Sequence, residues 1–246
     1  MKILITTGIF TPDIGGPASY GRTLAQKLAE NFSVSLVTYS SKRKFPEDKN
    51  QPFKIIRIAR WLPKFLRHFV FFVKTVSAAK GADVIFSLNA ISAGLPALWA
   101  AKIRKKRFFV KIVGDYAWET AVNKGKTFLL IDDFQKSKRR GWIGILHNLQ
   151  VKVAKGAEGV IVPSHYLADM VKNWGVPEGK IKVIYNGVDF KPLEISKEEA
   201  RKKLGIAGNI ILSIGRLVPW KGFRMLIKIM PQLFEINQFF RLVIVG

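Results

Sequence analysis

The chain has 246 residues, no cysteine, and a formal net charge of +24 from 41 Lys and Arg against 17 Asp and Glu. Without thiols it can form neither a disulfide framework nor a thiolate metal site, which suits a reducing compartment, and 48% hydrophobic residues exclude a disordered tail. The positive field favours phosphates, nucleic acid or an anionic membrane face as partners, or else reflects only a solvated lysine-rich surface.

The opening segment MKILITTGIF carries one Lys and a short apolar run that soon meets Pro12 and a Gly pair. It lacks the form of a secretory signal, so a cytoplasmic protein is expected. Onward from there, short β-branched runs alternate with amphipathic segments, the pattern of a parallel sheet covered by helices on both faces. The strands predicted are Lys2–Thr7, Ser33–Thr38, Lys54–Ile58, Val84–Ser87, Phe108–Val113, Gly159–Val162 and Lys182–Ile184. A first helix follows Gly15-Gly16, takes Pro17 in its first turn and sets Tyr20, Leu24 and Leu28 on one face before Asn31. Another runs from Pro96 into the cluster Arg104-Lys105-Lys106-Arg107, where cations favour a helix C-terminus. A third starts at Ser164 as N-cap and ends at Gly175, with Pro177 beyond.

After Asn186-Gly187 the pattern breaks into a loop and a short charged helix, and then strand, basic loop, helix and strand begin again: Asn209–Leu212, a helix over 221–234, and Arg241–Val245. This predicts a domain over 1–188, a boundary near Val188, and a second unit over 189–246. Two or three strands do not make a stable doubly wound sheet, so the chain is expected to stop inside its second domain.

Several positions carry candidate chemistry. Arg216 and Lys221 stand in "SIGRLVPWKGFRML" between a strand-like and a helix-like run. A departing diphosphate gains charge as its bond to a sugar breaks, so fixed cations there stabilise the transition state more than the ground state. Arg offers a planar fork and Lys a compact charge near a helix start, both at a strand's C-terminal end where open α/β sheets bind ligands. Standing alone, the pair reads equally as an exposed loop Arg and a helix-start Lys. Gly15 and Gly16 let a ligand approach backbone and helix N-terminus, or serve only a tight turn. Asp115, after "VKIVG", puts a carboxylate at a strand end, where it would bond a substrate hydroxyl or cap the helix containing Trp118 and Glu119. Ser164 reads as a helix cap and Asn186-Gly187 as a turn. There is no Asp-x-Asp; Asp132-Asp133 are adjacent, and His68, His147 and His165 are scattered without ligand spacing, so no metal is expected. The stretch "RWLPKFLRHFVFFVKTV" sets apolar Phe65, Leu66, Phe69, Phe72, Val73 and Val76 among basic Lys64, Arg67 and Lys74. It is too interrupted to span a bilayer, and reads either as a helix covering the sheet or as one lying on an anionic membrane surface.

The segments "VPSHYLADMVKNWGVPEGKIKVIYNGVDF" and "ILSIGRLVPWKGFRMLIKIM" resemble the central signature of the retaining glycosyltransferases of family 4, and "TGIFTPDIGGPASYGRTLAQKLAE" is similar to that family's opening strand, glycine loop and helix. The resemblance spans essentially the whole chain. It implies an α/β GT-B fold, two Rossmann-like doubly wound domains facing a cleft, the second incomplete here and lacking the family's Glu-x7-Glu motif. It implies that Arg216 and Lys221 match the donor-diphosphate pair, that the Gly15-Gly16 loop contacts donor or acceptor, and that Ser164, Asn186 and Gly187 lie beside the ligands. Many members carry a His near Gly114-Asp115; its absence here leaves no His role to transfer. The leaving phosphate itself takes the acceptor proton in this type of transfer, so no protein base is implied.

The expected function is therefore a metal-independent retaining transfer of a sugar from a nucleotide diphosphate sugar to a glycan, lipid-linked or small-molecule acceptor, needing no bound cofactor, in the cytoplasm or at the inner membrane face. The alternatives are another GT-B enzyme, a nucleotide-sugar epimerase or phosphorylase, and a basic nucleic-acid-binding protein. No RNP-like aromatics or helix-turn-helix support the last, and the glycine pattern is wrong for an NAD-dependent oxidoreductase.

Overall fold

A computed structural model describes residues 1–187 and 192–246. They fall into two compact units, Met1–Glu119 with Ile131–Asn186, and Thr120–Leu130 with Gly187–Gly246. The expected boundary at Val188 lies outside the described residues.

The first unit is built on seven parallel strands, β1 (Lys2–Thr7), β2 (Ser33–Ser40), β3 (Lys54–Ala59), β4 (Val84–Ser87), β5 (Arg107–Lys111), β6 (Gly159–Val162) and β7 (Ile181–Val183), in the order β3-β2-β1-β4-β5-β6-β7. A parallel sheet is buried on both faces, which is why its strands are continuous apolar and β-branched runs. Alternation along β1 shows both faces at once. Ile3 and Ile5 join Val34, Leu36 and Leu88 in one cluster, against which Tyr20, Leu24 and Leu28 of α1 (Gly16–Ala29) pack. Leu4 turns to the other cluster, completed by α2 (Lys64–Ala79), α3 (Gly94–Arg104), α6 (Gly141–Gly156) and α7 (His165–Asn173). Two short helices, α4 (Tyr116–Asn123) and α5 (Ile131–Lys136), lie between β5 and α6. This is the Rossmann-like α/β fold expected.

The helix α2 covers the sheet, one of its two sequence readings. Its buried stripe is Phe71, Thr75 and Ala79, whereas Phe65 (91% exposed), Phe69 (62%), Leu66 and Val73 face outward. One helix thus covers the sheet and presents a second apolar stripe to solvent.

The second unit contains α8 (Lys197–Leu204) and a β-α-β run of β8 (Asn209–Ile214), α9 (Phe223–Ile236) and β9 (Phe240–Val245), with β8 and β9 paired in parallel. Ser196 caps α8 reciprocally with Glu199, and Gly205 closes it in the left-handed conformation. Phe223 and Met230 anchor α9 against the strands.

Candidate active site

In the order β3-β2-β1-β4-β5-β6-β7 the connectivity reverses between β1 and β4, the point where open α/β sheets form a ligand crevice at their C-terminal edge. The loop that leaves β1 there is held by two arginines of the third strand and its exit. Arg57, almost wholly buried, donates from Nε and Nη2 to Asp48 at 2.8 and 2.6 Å, and from Nη2 to the Thr11 carbonyl at 2.7 Å. Its guanidinium also lies over the Phe45 ring at 4.6 Å. Arg60 pairs with Asp13 at 2.6 Å. These braces deliver the chain to Gly15, whose φ of 151° suits glycine, and to Gly16, around whose missing side chain there is open space. Backbone and the start of α1 are therefore open to a ligand. Arg57 and Arg60 were not singled out in the sequence, because their partners stand 9 and 47 residues away.

Across the crevice, β5 ends at Lys111, a side chain 2% exposed in the middle of the sheet. Its amine donates to Asn186 Oδ1 at 2.6 Å and sits 3.5 Å from the Tyr20 ring centroid. Burial pulls its pKa down to about 8 and pushes the Tyr20 phenol upward. Lys111 was not singled out in the sequence, though a lone cation inside the apolar run "FFVKIV" could have drawn attention to it. Asn186, expected beside the ligands, is here the acceptor that ties the chain after β7 to β5. Gly187 follows with open space where a side chain would stand.

Asp115 lies at the end of the same segment, but its carboxylate is fully buried and turned into the fold. It accepts from the Trp118 N–H at 2.9 Å, from Gln150 Nε2 at 2.8 Å and from Gln135 Nε2 at 2.6 Å, with His147 Nδ1 at 3.8 Å. Burial raises its pKa, but the His147 imidazole beside it and the hydrogen bonds from Gln135, Trp118 and Gln150 outweigh burial and hold it below the usual carboxylate range. The geometry is that of the helix cap, and the same carboxylate positions α5 and α6 through their glutamines. Ser164 Oγ likewise accepts from the Leu167 N–H at 3.2 Å, starting α7. Of the other histidines, His68 Nδ1 is 2.7 Å from the Tyr39 hydroxyl and His165 meets the Tyr185 ring edge-on.

In the second unit, Arg216 and Lys221 are both exposed in the turn between β8 and α9. Hydrogen bonds from the Val218 N–H to the Arg216 carbonyl (2.8 Å) and from the Lys221 N–H to the Val218 carbonyl (3.0 Å) fold the turn back. The Lys221 stem thereby comes within 3.9 Å of where a Gly215 side chain would stand. Neither cation forms an ion pair among the described residues. The turn thus presents two uncompensated positive charges at a strand's C-terminal end.

Among the described residues no group of three or more His, Cys, Asp or Glu is placed to hold a metal ion; Asp132 accepts from the Tyr166 hydroxyl at 2.6 Å. No described helix is long and apolar enough to cross a membrane.

Comparison with family models matches residues 14–191 to Glycosyltransferase Family 4. The chain belongs to that family. Among solved structures, Anabaena Alr3699/HepE in complex with UDP and glucose is 19% identical with a TM-score of 0.71, covering 100% of this chain and 61% of that one. The lipopolysaccharide outer core galactosyltransferase WaaB, apo form, is 16% identical with a TM-score of 0.59, covering 100% of this chain and 68% of that one. The UDP-GlcNAc 2-epimerase from Methanocaldococcus jannaschii is 13% identical with a TM-score of 0.57, covering 99% and 65%. No curated protein matches the chain. Likeness at this identity establishes the fold, and this family 4 chain spans 61% of the length of the Anabaena structure.

Proposed function

We propose that the protein carrying this chain transfers a hexose from a nucleotide diphosphate sugar to a glycan, lipid-linked or small-molecule hydroxyl, with retention at the anomeric carbon and without a metal ion or bound cofactor. The observation that carries this reading is the family match over residues 14–191. Arg216 and Lys221 supply the charge: as the bond from the anomeric carbon to the phosphate oxygen breaks, the diphosphate gains negative charge beside two cations with no competing carboxylate. The acceptor oxygen bonds to the anomeric carbon and its proton passes to the departing phosphate oxygen, so no protein base is needed. The uncovered backbone at Gly16 and the end of the first-unit sheet take the acceptor side, with Lys111 and Asn186 fixing that edge. That the Anabaena and WaaB structures are, by their descriptions, a UDP and glucose complex and a galactosyltransferase supports a nucleotide-sugar donor.

The domain division at 188 is proposed on the same basis, as is docking of α2 on an anionic membrane face to meet a lipid-linked acceptor. Lys64 lies 5.7 Å from the Trp142 ring centroid, Lys74 is exposed, and Arg67 Nη1 donates to the Arg60 carbonyl at 3.2 Å. The test is donor-dependent transfer by the full-length protein across a panel of nucleotide sugars, with and without EDTA. Transfer that survives EDTA with the anomeric configuration kept supports the reading. Epimerised donor without transfer would replace it with the epimerase, and silence with every donor would overturn it.

A further inference from the structure

At the opposite end of the strands from the glycine loop, the start of β5 opens onto a depression of about 300 Å3. Lys102, Lys105, Lys106, Arg107 and Lys180 line it, with Glu158 the one carboxylate. That carboxylate is already taken: Arg107 donates to both its oxygens at 2.9 and 3.0 Å from Nε, and at 2.6 Å from Nη2. Lys180 spends one N–H on the Ala157 carbonyl at 3.1 Å. Lys102, Lys105 and Lys106 form no ion pair among the described residues. The Lys102 amine is instead ordered over the Trp99 ring, 5.4 Å from its centroid. Lys180 acts on Glu158 from a distance, and Lys102, Lys105 and Lys106 are left, among the described residues, without an ion pair around one concavity.

The backbone adds an independent observation. Lys105 has φ 52° and ψ 48°, the one non-glycine among the described residues with a positive φ. It closes α3 through bonds from its own N–H to the Lys102 carbonyl and from the Lys106 N–H to the Ala101 carbonyl, at 3.3 and 2.9 Å. Such left-handed closures favour glycine, and any L side chain there is strained. Here the strained residue is a lysine, and it lines the depression together with Lys102 and Lys106. Strain kept at a ligand-facing position is the pattern of a site rather than of a helix end alone.

We propose that this depression is a second anion site, at the opposite end of the first-unit sheet from the glycine loop, that takes a phosphate-bearing group such as a diphosphate or a phosphate ester. Compact ammonium charges on flexible stems suit the several oxygens of a phosphate, and the preformed Arg107–Glu158 pair leaves the lysines free to meet it. The cations converge on one hollow rather than tracking a stripe, which distinguishes the site from a nucleic-acid path. A soluble phosphate and a phospholipid headgroup present the same chemistry.

The test is calorimetric titration of the protein with inorganic pyrophosphate at constant ionic strength, beside flotation with phosphatidylcholine vesicles containing or lacking phosphatidylglycerol. Each lost lysine contact is expected to weaken binding roughly tenfold. Lys105→Gly is the decisive variant: it should bind more weakly yet melt at a higher temperature without ligand, because glycine relieves the backbone. Arg216→Ala with Lys221→Ala should remove the donor turn's share of the pyrophosphate heat, and in that background Lys106→Ser with Lys180→Ser should abolish what remains. Binding only to phosphatidylglycerol vesicles, lost in the same variants, assigns the headgroup as the source and equally supports the site. Pyrophosphate and vesicle binding unchanged by the lysine substitutions would overturn it, as would binding confined to RNA.

Discussion

Lys111 sits almost without water at the end of β5, and its amine is made easier to deprotonate as a result. Its folded pKa of about 8 lies below the ordinary 10.5, so between these values the unfolded chain holds a proton that the folded one has released. Stability then rises with pH across that window, and the burial penalty stands in full below pH 8. Relative to Lys111→Met, the wild-type protein should gain stability as pH is raised from 8 to 10.5, read as a shift in urea midpoint. Parallel profiles for the two proteins would remove Lys111 as a buried amine. On the proposed function Arg216 and Lys221 are the complementary case, exposed cations that would act only on a bound diphosphate. Arg216→Ala and Lys221→Ala are each expected to lower kcat by about 10²- to 10³-fold, as losing one transition-state charge contact does, with little change in melting temperature. Turnover within a few-fold of wild type would end the diphosphate assignment.

At the scale of elements, the glycine loop depends on its braces. Arg57 is 2% and Asp48 20% exposed in their side chains, and removing one partner strands the other's charge. Arg57→Ala should cost about 3–5 kcal/mol in urea unfolding; Arg57→Lys should recover part of this, since it keeps the charge but loses the two-pronged geometry. A cost below ~1 kcal/mol, the range of a surface pair, would show that the loop holds itself. The outward stripe of α2 makes a separate demand, for partial burial in an interface. Replacing Lys64, Arg67 and Lys74 by Ser should reduce co-sedimentation with anionic vesicles, and undiminished binding would exclude that helix as the contact. These two elements also mark how far the sequence could be read. The strands were legible because a sheet buried on both faces needs unbroken β-branched runs, and the helix starts because Pro17 and Ser164 announce them. Helix α6 was not read, since its inward face includes His147 and Gln150, buried by a carboxylate that is 32 and 35 residues away. The buried side of α2 could not be read for a related reason: both its sides are apolar, so periodicity alone does not choose between them. Arg216 and Lys221 stand five residues apart and could be read together, whereas the Lys111–Asn186 contact joins β5 to the chain after β7, 75 residues away, and shows in no local pattern.

Across the whole molecule the net charge of +24 acts before any contact forms. A positive field raises the encounter rate of an anionic ligand and is weakened by salt over a Debye length of about 8–10 Å. In the proposed transfer, by contrast, the chemical step is governed by cations close to the breaking bond, which salt screens less. Raising KCl should therefore lower kcat/KM for a nucleotide diphosphate sugar, mainly through KM, while kcat for bound substrates stays nearly constant. The comparison with a neutral acceptor isolates the cause, because an uncharged hydroxyl compound feels no steering and its KM should not move. A parallel rise in both KM values would instead mean that salt perturbs the fold, and a flat donor KM would mean that the excess lysines serve something other than donor capture. In that event the anion site at the start of β5 accounts for part of the charge, since Lys102, Lys105, Lys106 and Lys180 lie at the far end of the sheet from the glycine loop.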